Sequence, residues 1–266
     1  MCGGDERLKI LVITVAGMSS RFSESLGYPC LKCLYHEEGI EASLLYRILH
    51  QNTEFDRYVI VGGFMYEELE KTVAHYFNDL KEKIILVKNE HYADYGSCYS
   101  LYLALREIQS LPFDEVVFAE GDLYVDRESF KEICDKPGNI ITCNQEAILA
   151  SKAVAFYFDE QYGIHYIYDT SHSALEIPEP FLGIFNSGQI WKFADRVHLK
   201  KVTDSIGEDQ WRGTNLVIIQ RYFGNLGREQ YDMVMFREWV NCNTILDYRR
   251  IRRHSSVESE YSQQEM

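Results

Sequence analysis

A chain of 266 residues with 41 acidic against 27 basic side chains has a formal net charge of −14. Such a chain repels phosphate backbones, which excludes nucleic acid as a natural partner, and it can hold an anionic ligand only where basic side chains, backbone N–H groups or a divalent cation supply local positive charge. The length suits one large α/β domain or two small ones, and 46% hydrophobic with 26% charged residues is the balance of a globular chain, not a disordered one.

Taken in order, Lys9 to Val15 is a continuous apolar, β-branched run and predicts a strand buried on both faces. A loop of small residues follows. Helical spacing marks 43–51, then Tyr58 to Val61 predicts a second strand ended by Gly62-Gly63. Residues 66–77 predict an amphipathic helix, 84–88 a third strand, 97–109 a helix and Val116 to Ala119 a fourth strand. Strands alternating with helices predict βαβ units on a mostly parallel sheet. In the second half, 139–143, 153–158, 164–168 and 182–187 predict closely spaced strands, and 189–199, 209–222 and 244–252 predict helices. The expected fold is a single Rossmann-like α/β/α domain over 8–250 with an antiparallel β-rich extension. Its two halves cover 8–135 and 136–250, and the polar 251–266 is expected to be a flexible tail.

No apolar run approaches the roughly 20 residues of a membrane-spanning helix. Seven cysteines, an odd number, follow a polar and charged start that is unlike a signal peptide, so free thiols in a reducing cytoplasm are expected. Cys30 and Cys33 form a C-x-x-C, but no second pair completes a tetrahedral zinc site.

The first strand runs into Ala16-Gly17-Met18-Ser19-Ser20-Arg21-Phe22. In open α/β folds this is the edge where ligands bind. Small residues let backbone N–H groups approach phosphate, and Arg21 offers a planar, always-charged fork. The loop is neither a Walker loop nor the dinucleotide fingerprint, since both glycine patterns are absent. With Gly27-Tyr28-Pro29-Cys30-Leu31-Lys32, the stretch from Val12 to Phe22 resembles the signature of nucleotidyltransferases of the nucleotide-diphospho-sugar transferase fold. Sugar-1-phosphate nucleotidyltransferases and phosphocholine cytidylyltransferases are among them. In that family an Ala-Gly-x-x-x-Arg loop is followed by Pro-Lys. Here Ser19 and Ser20 stand where many members carry glycine, and Leu31 precedes the lysine in place of proline.

The resemblance implies that Ala16, Gly17, Met18, Ser19, Ser20 and Arg21 hold the triphosphate with Lys32. It implies that Gly96 and Ser97, opening a helix, help to read the base. Asp122, in Glu120-Gly121-Asp122 at the end of the fourth strand, matches a family metal ligand, and Mg²⁺ is ordinarily held by one or two carboxylates plus substrate phosphates. Asn243, in the segment Trp239 to Asp247, stands where many members place a second ligand. Lys152 lies where the family often carries a basic residue toward the acceptor phosphate. The implied enzyme is Mg²⁺-dependent and transfers a nucleotidyl group from CTP or UTP to a sugar-1-phosphate or phosphocholine for cell-surface polysaccharide or lipid precursor synthesis. Arg21, Lys32 and Asp122 are its implied catalytic residues. Nineteen tyrosines could furnish an aromatic cage for a quaternary ammonium. A glycosyltransferase of the same sheet architecture would carry Asp-x-Asp where this chain has Glu120-Gly121-Asp122. A non-catalytic nucleotide-binding module is the other alternative.

Overall fold

The computed structural model describes residues 8–51, 55–150, 154–167 and 174–253. The elements in chain order are β1 (Leu8–Thr14), α1 (Ser20–Leu26), α2 (Leu44–His50), β2 (Arg57–Gly62), α3 (Tyr66–Tyr76), β3 (Ile84–Lys88), α4 (Ser97–Ile108) and β4 (Phe113–Glu120). There follow β5 (Leu123–Val125), α5 (Arg127–Asp135), β6 (Asn139–Asn144), β7 (Ala155–Asp159), β8 (Ile164–Ile167), β9 (Phe181–Ser187) and β10 (Ile190–Phe193). The chain continues through α6 (Arg196–Asp204), α7 (Leu216–Phe223), β11 (Tyr231–Met235), β12 (Trp239–Asn241) and a helix over 245–253, α8.

Ten strands form one sheet in the order β3-β2-β1-β4-β10-β6-β9-β7-β8, with β11 alongside β6. The first four are mutually parallel, as the predicted alternation requires. β10 then runs antiparallel to both β4 and β6, and β7, β8 and β9 form the antiparallel extension. β1 sits at the centre, and Ile10 to Ile13 are wholly shielded from solvent. Its side chains alternate between two cores. Ile10 and Val12 pack with α4, α6 and α7 on one face, and Leu11 and Ile13 pack with α2 and α3 on the other. A third cluster joins Phe22 of α1, Tyr124 of β5, Val240 of β12 and Ile245, Tyr248 and Ile251 of α8.

Residues 189–199 depart from the predicted helix. Ile190-Trp191-Lys192-Phe193 is a strand, and α6 starts only after Asp195, whose carboxylate caps it by accepting from the His198 amide at 2.9 Å. The deceptive residue is Lys192, which has a polar side chain yet is fully buried. Its ammonium pairs with Glu115 at 3.1 Å and donates to the carbonyls of Cys134 and Lys136 at the end of α5. Helix α7 also starts later than predicted, at Leu216, because the carbonyls of Trp211 and Gly213 accept the Gly96 and Cys98 amides instead of building a helix. Residues α5 and β11 have no counterpart among the predicted elements.

Lys192→Met should therefore destabilise the protein by about 1–3 kcal/mol, because it leaves the carbonyls of Cys134 and Lys136 without their buried donor and leaves the partly buried Glu115 carboxylate to Lys9 alone. The shift of the urea unfolding midpoint measures this, and a change below about 1 kcal/mol would show that the buried pair is not structural.

Candidate active site

A cavity of about 250 Å³ opens at the carboxyl ends of β1 and β4. The chain leaves β1 toward β2 on one side while β4 lies on the other, so this is the switch point where open α/β sheets bind ligands. Gly121 makes the close approach possible. Its amide donates to the Thr14 carbonyl at 3.1 Å, and a side chain there would run into Val15.

The loop after β1 forms one wall. Ala16, Gly17 and Ser19 line the cavity. The Ala16 carbonyl is held by the Phe64 amide at 3.1 Å. Ser19 has a left-handed backbone, with φ of 53°. That conformation favours glycine, which is the physical sense of the glycine that related loops carry there. Helix α1 begins at Ser20, so the irregular loop is shorter than expected. Ser20 and Arg21 are exposed on its first turn and Met18 is half exposed, all three outside the cavity lining.

Lys32 and Asp122 meet at the cavity. The ammonium donates to Asp122 Oδ2 at 2.6 Å, and both side chains are about four-fifths buried, with exposures of 20% and 18%. Lys32 lies on a single 3₁₀ turn between the buried side chains of Leu31 and Cys33, and its amide reaches Ser19 Oγ at 3.4 Å. The Asp122 carbonyl accepts from the Cys242 amide at 2.8 Å, so β12 locks the turn that carries it. The other carboxylate oxygen, Oδ1, is buried without a hydrogen-bond partner.

Glu120 stands beside this pair. Burial, and next the Asp122 charge, push its carboxyl up to about 7. Asn215, delivered by the turn before α7, donates to Glu120 Oε1 at 2.7 Å, and its amide donates to Ser97 Oγ at 2.9 Å. Nothing in the local pattern marks Asn215, whose contact with Glu120 spans 95 residues. Glu120 belongs to the Glu120-Gly121-Asp122 motif, to which the resemblance attaches a role only at Asp122.

The wall opposite the loop comes from the segment after β3. Asn89 is buried, donates to Ser100 Oγ at 3.0 Å and accepts from the His91 amide at 2.9 Å. Gly96 and Ser97 line the cavity as expected. The amides of Gly96 and Cys98 donate to the carbonyls of Trp211 and Gly213. Tyr92 and Tyr95 add aromatic surface. Behind them Tyr95, Tyr99, Tyr102 and Trp211 pack ring against ring, with centroids 4.8–6.1 Å apart. A cation would need about that distance from each ring, so this cluster is a packed wall and not a cage.

Asn243 follows β12 near Asp122 but does not line the cavity. Its amide group donates to Asn241 Oδ1 at 2.8 Å, and Asn241 reaches Gln189 Oε1 at 3.5 Å. Asp247 turns back to accept from the amides of Asn243 and Thr244, capping α8. A second cavity, of about 270 Å³, lies along β12 at the end of β6 and is lined by Asn144, Glu146, Arg237, Glu238, Trp239 and Arg250. Lys152 lies outside the described residues. Among the described residues no group of three or more His, Cys, Asp or Glu could hold a metal. Cys30 and Cys33 are free thiols that burial pushes upward, Cys30 to about 11.

A family model described as Domain of unknown function (DUF6564) matches residues 28–255. The chain belongs to this family. No curated protein matches it in sequence. Solved structures do match in shape. The inositol-1-phosphate CTP transferase from T. maritima superimposes with a TM-score of 0.64 at 16% identity, over 93% of this chain and 96% of that one. The CTP:phosphocholine cytidylyltransferase from Streptococcus pneumoniae does so with a TM-score of 0.61 at 16% identity, over 92% and 97%. The DUF6564 chain thus has the fold of nucleotidyltransferases, as its N-terminal signature implied.

Because Glu120 holds its proton to about pH 7 when folded but only to about 4.5 when unfolded, its contribution to stability falls as pH rises between those values and stays lost above them. In metal-free buffer Glu120→Gln should remove that fall, so the variant gains on the order of 1–3 kcal/mol over the parent at pH 8 and nothing at pH 4. Urea midpoints at the two pH values decide it, and an equal difference at both would refute the assignment.

Proposed function

We propose that this protein is a nucleotidyltransferase that joins a nucleoside monophosphate unit to a phosphorylated small molecule. The observation that carries the reading is the Lys32–Asp122 pair at the β1/β4 switch point, with one Asp122 oxygen buried and unpartnered. A carboxylate oxygen without a donor, facing a site lined by a lysine and a small-residue loop, suits a divalent cation bound together with phosphate. One protein carboxylate is enough for Mg²⁺ when substrate oxygens and water complete its shell. Asp122 would hold it, with the Asn243 amide oxygen as the nearest candidate from the C-terminal segment. Bound there, Mg²⁺ would neutralise the triphosphate and polarise the α-phosphate.

The chain's own residues then have distinct tasks. Ala16, Gly17 and Ser19 let the backbone approach the phosphates, and Lys32 and the exposed Arg21 supply the positive charge that the −14 chain otherwise lacks. An acceptor phosphate oxygen is already a nucleophile at neutral pH. It attacks the α-phosphorus, and the bond to the bridging oxygen breaks to release pyrophosphate. No general base is needed, so positioning and charge do most of the catalysis. CTP is favoured over UTP by the names of the two similar enzymes, both of which use CTP. The second cavity, lined by Arg237, Glu238 and the Arg250–Glu146 pair, is the candidate place for a sugar-1-phosphate, inositol phosphate or phosphocholine acceptor. Lys152 remains a proposed acceptor contact. The halves 8–135 and 136–250 thus divide nucleotide from acceptor. The free thiols fit a reducing compartment, and supply of cell-surface precursors is the proposed setting.

Incubation with Mg²⁺, each of the four triphosphates and a panel of phosphorylated acceptors should release pyrophosphate, best with CTP. Nucleotide binding with no turnover on any acceptor would instead indicate a sensor. Asp122→Asn should lower turnover at least about a hundredfold while the far-ultraviolet circular dichroism stays unchanged, and near-normal activity would remove Asp122 from the mechanism. Arg21→Ala should raise the apparent KM for the triphosphate about tenfold to a hundredfold, the equivalent of the ~1.5–3 kcal/mol of a charge-assisted hydrogen bond. An unchanged KM would take Arg21 out of the triphosphate site.

A further inference from the structure

We infer that Lys32 is a built-in counter-cation that keeps Asp122 from binding free divalent metal until a polyphosphate draws the ammonium away. The inference deepens the reading above and rests on Asp122 being the cation-binding carboxylate. Three observations carry it. Lys32 Nζ sits 2.6 Å from Asp122 Oδ2, the distance of a strong charge-assisted hydrogen bond, so an arriving cation meets a carboxylate already neutralised. The second oxygen, Oδ1, is buried with no donor, so the ammonium satisfies only half of the group. Finally, Leu31 and Cys33 are each 1% exposed and anchor the 3₁₀ turn, while Lys32 itself lines the cavity, so its flexible four-carbon stem lies beside the space a polyphosphate would enter.

Nearby Glu120 sharpens the competition. Its oxygen Oε1 is taken by Asn215 rather than by Lys32, so the lysine is committed to Asp122. A polyphosphate entering along Ala16 to Ser19 offers the ammonium several oxygens in place of one. When Lys32 moves to them, Oδ2 is released beside the donor-free Oδ1, and the Asp122 carboxylate is left without a counter-charge, which a divalent cation can replace. Metal and polyphosphate then promote each other's binding, and by linkage the factor is the same in both directions. An ordinary structural salt bridge would couple nothing.

Two titrations test this, neither of which depends on turnover. In the first, Mn²⁺ alone is followed by its electron paramagnetic resonance signal. Lys32→Gln should bind Mn²⁺ at least about fivefold more tightly than the parent, within the range usual for coupled sites. Adding Asp122→Asn should abolish that gain. In the second, inorganic pyrophosphate is titrated calorimetrically in EDTA. Asp122→Asn frees Lys32 and should tighten metal-free pyrophosphate binding at least about fivefold, and the double variant with Lys32→Gln should lose the gain. Lys32→Met, with an unbranched stem, replaces Lys32→Gln if that variant unfolds. Unchanged Mn²⁺ affinity in both Lys32 variants overturns the inference, as does a pyrophosphate gain that survives in the double variant. If both gains appear but the acceptor panel yields no pyrophosphate, the competition stands and the transferase reading falls.

Discussion

The burial of β1 on both faces is the constraint on which the rest depends. A strand whose residues Ile10 to Ile13 see no solvent needs parallel neighbours on each side and helices above and below. Once α4, α6 and α7 cover one face and α2 and α3 the other, the polar work of the protein can be done only where the strands end. The carboxyl ends of β1 and β4 stand side by side there, and the chain departs from them in different directions. The cavity is the gap this leaves, and its chemistry is set by what those two ends carry, a loop of small residues on one and Glu120-Gly121-Asp122 on the other.

Electrostatics then narrows what the gap can hold. The chain as a whole is strongly acidic, and two further carboxyl groups, Glu120 and Asp122, stand at the site itself. The structure manages them in different ways. Glu120 is raised well above the usual carboxylate range by burial and by its neighbour, while its Oε1 accepts from the Asn215 side chain. Asp122 pairs with Lys32 through one oxygen and keeps the other without a donor. One raised acid, one half-satisfied carboxylate and one lysine together suit a ligand that brings negative charge and a cation.

Much of this was legible in the sequence, and the exceptions share a cause. β1 to β4 announce themselves because strands buried on both faces are unbroken apolar runs. Lys32 and Asp122 were legible because motif order placed them, although 90 residues separate them in the chain. What escaped depends on partners that periodicity cannot see. Lys192 disguised β10, since a lysine within an apolar stretch reads as the wet side of a helix until Glu115 and the end of α5 are present to receive it. Asn215 reaches Glu120 from a turn with no pattern of its own. The 211–213 segment, whose carbonyls hold the Gly96 and Cys98 amides, is likewise invisible to periodicity. Ser19 departs from the familiar loop in residue type but keeps a left-handed backbone, with φ of 53°, where glycine would be the less strained choice.

The third hydrophobic cluster bears on how the protein comes into being. Phe22, next to the phosphate loop, packs with Val240, Ile245, Tyr248 and Ile251, and the Ile245 amide donates to Ser25 at 2.9 Å. The turn bearing Asp122 is likewise pinned by Cys242. During synthesis the parallel half can pair once β4 has emerged, since β1 to β4 all lie within residues 8–120. The loop and the acidic turn acquire their buttress only after α8 has left the ribosome. The nascent chain therefore carries an unfinished cavity until α8 has emerged, and the completed cavity is a property of the folded chain from β1 to α8 rather than of its parallel half.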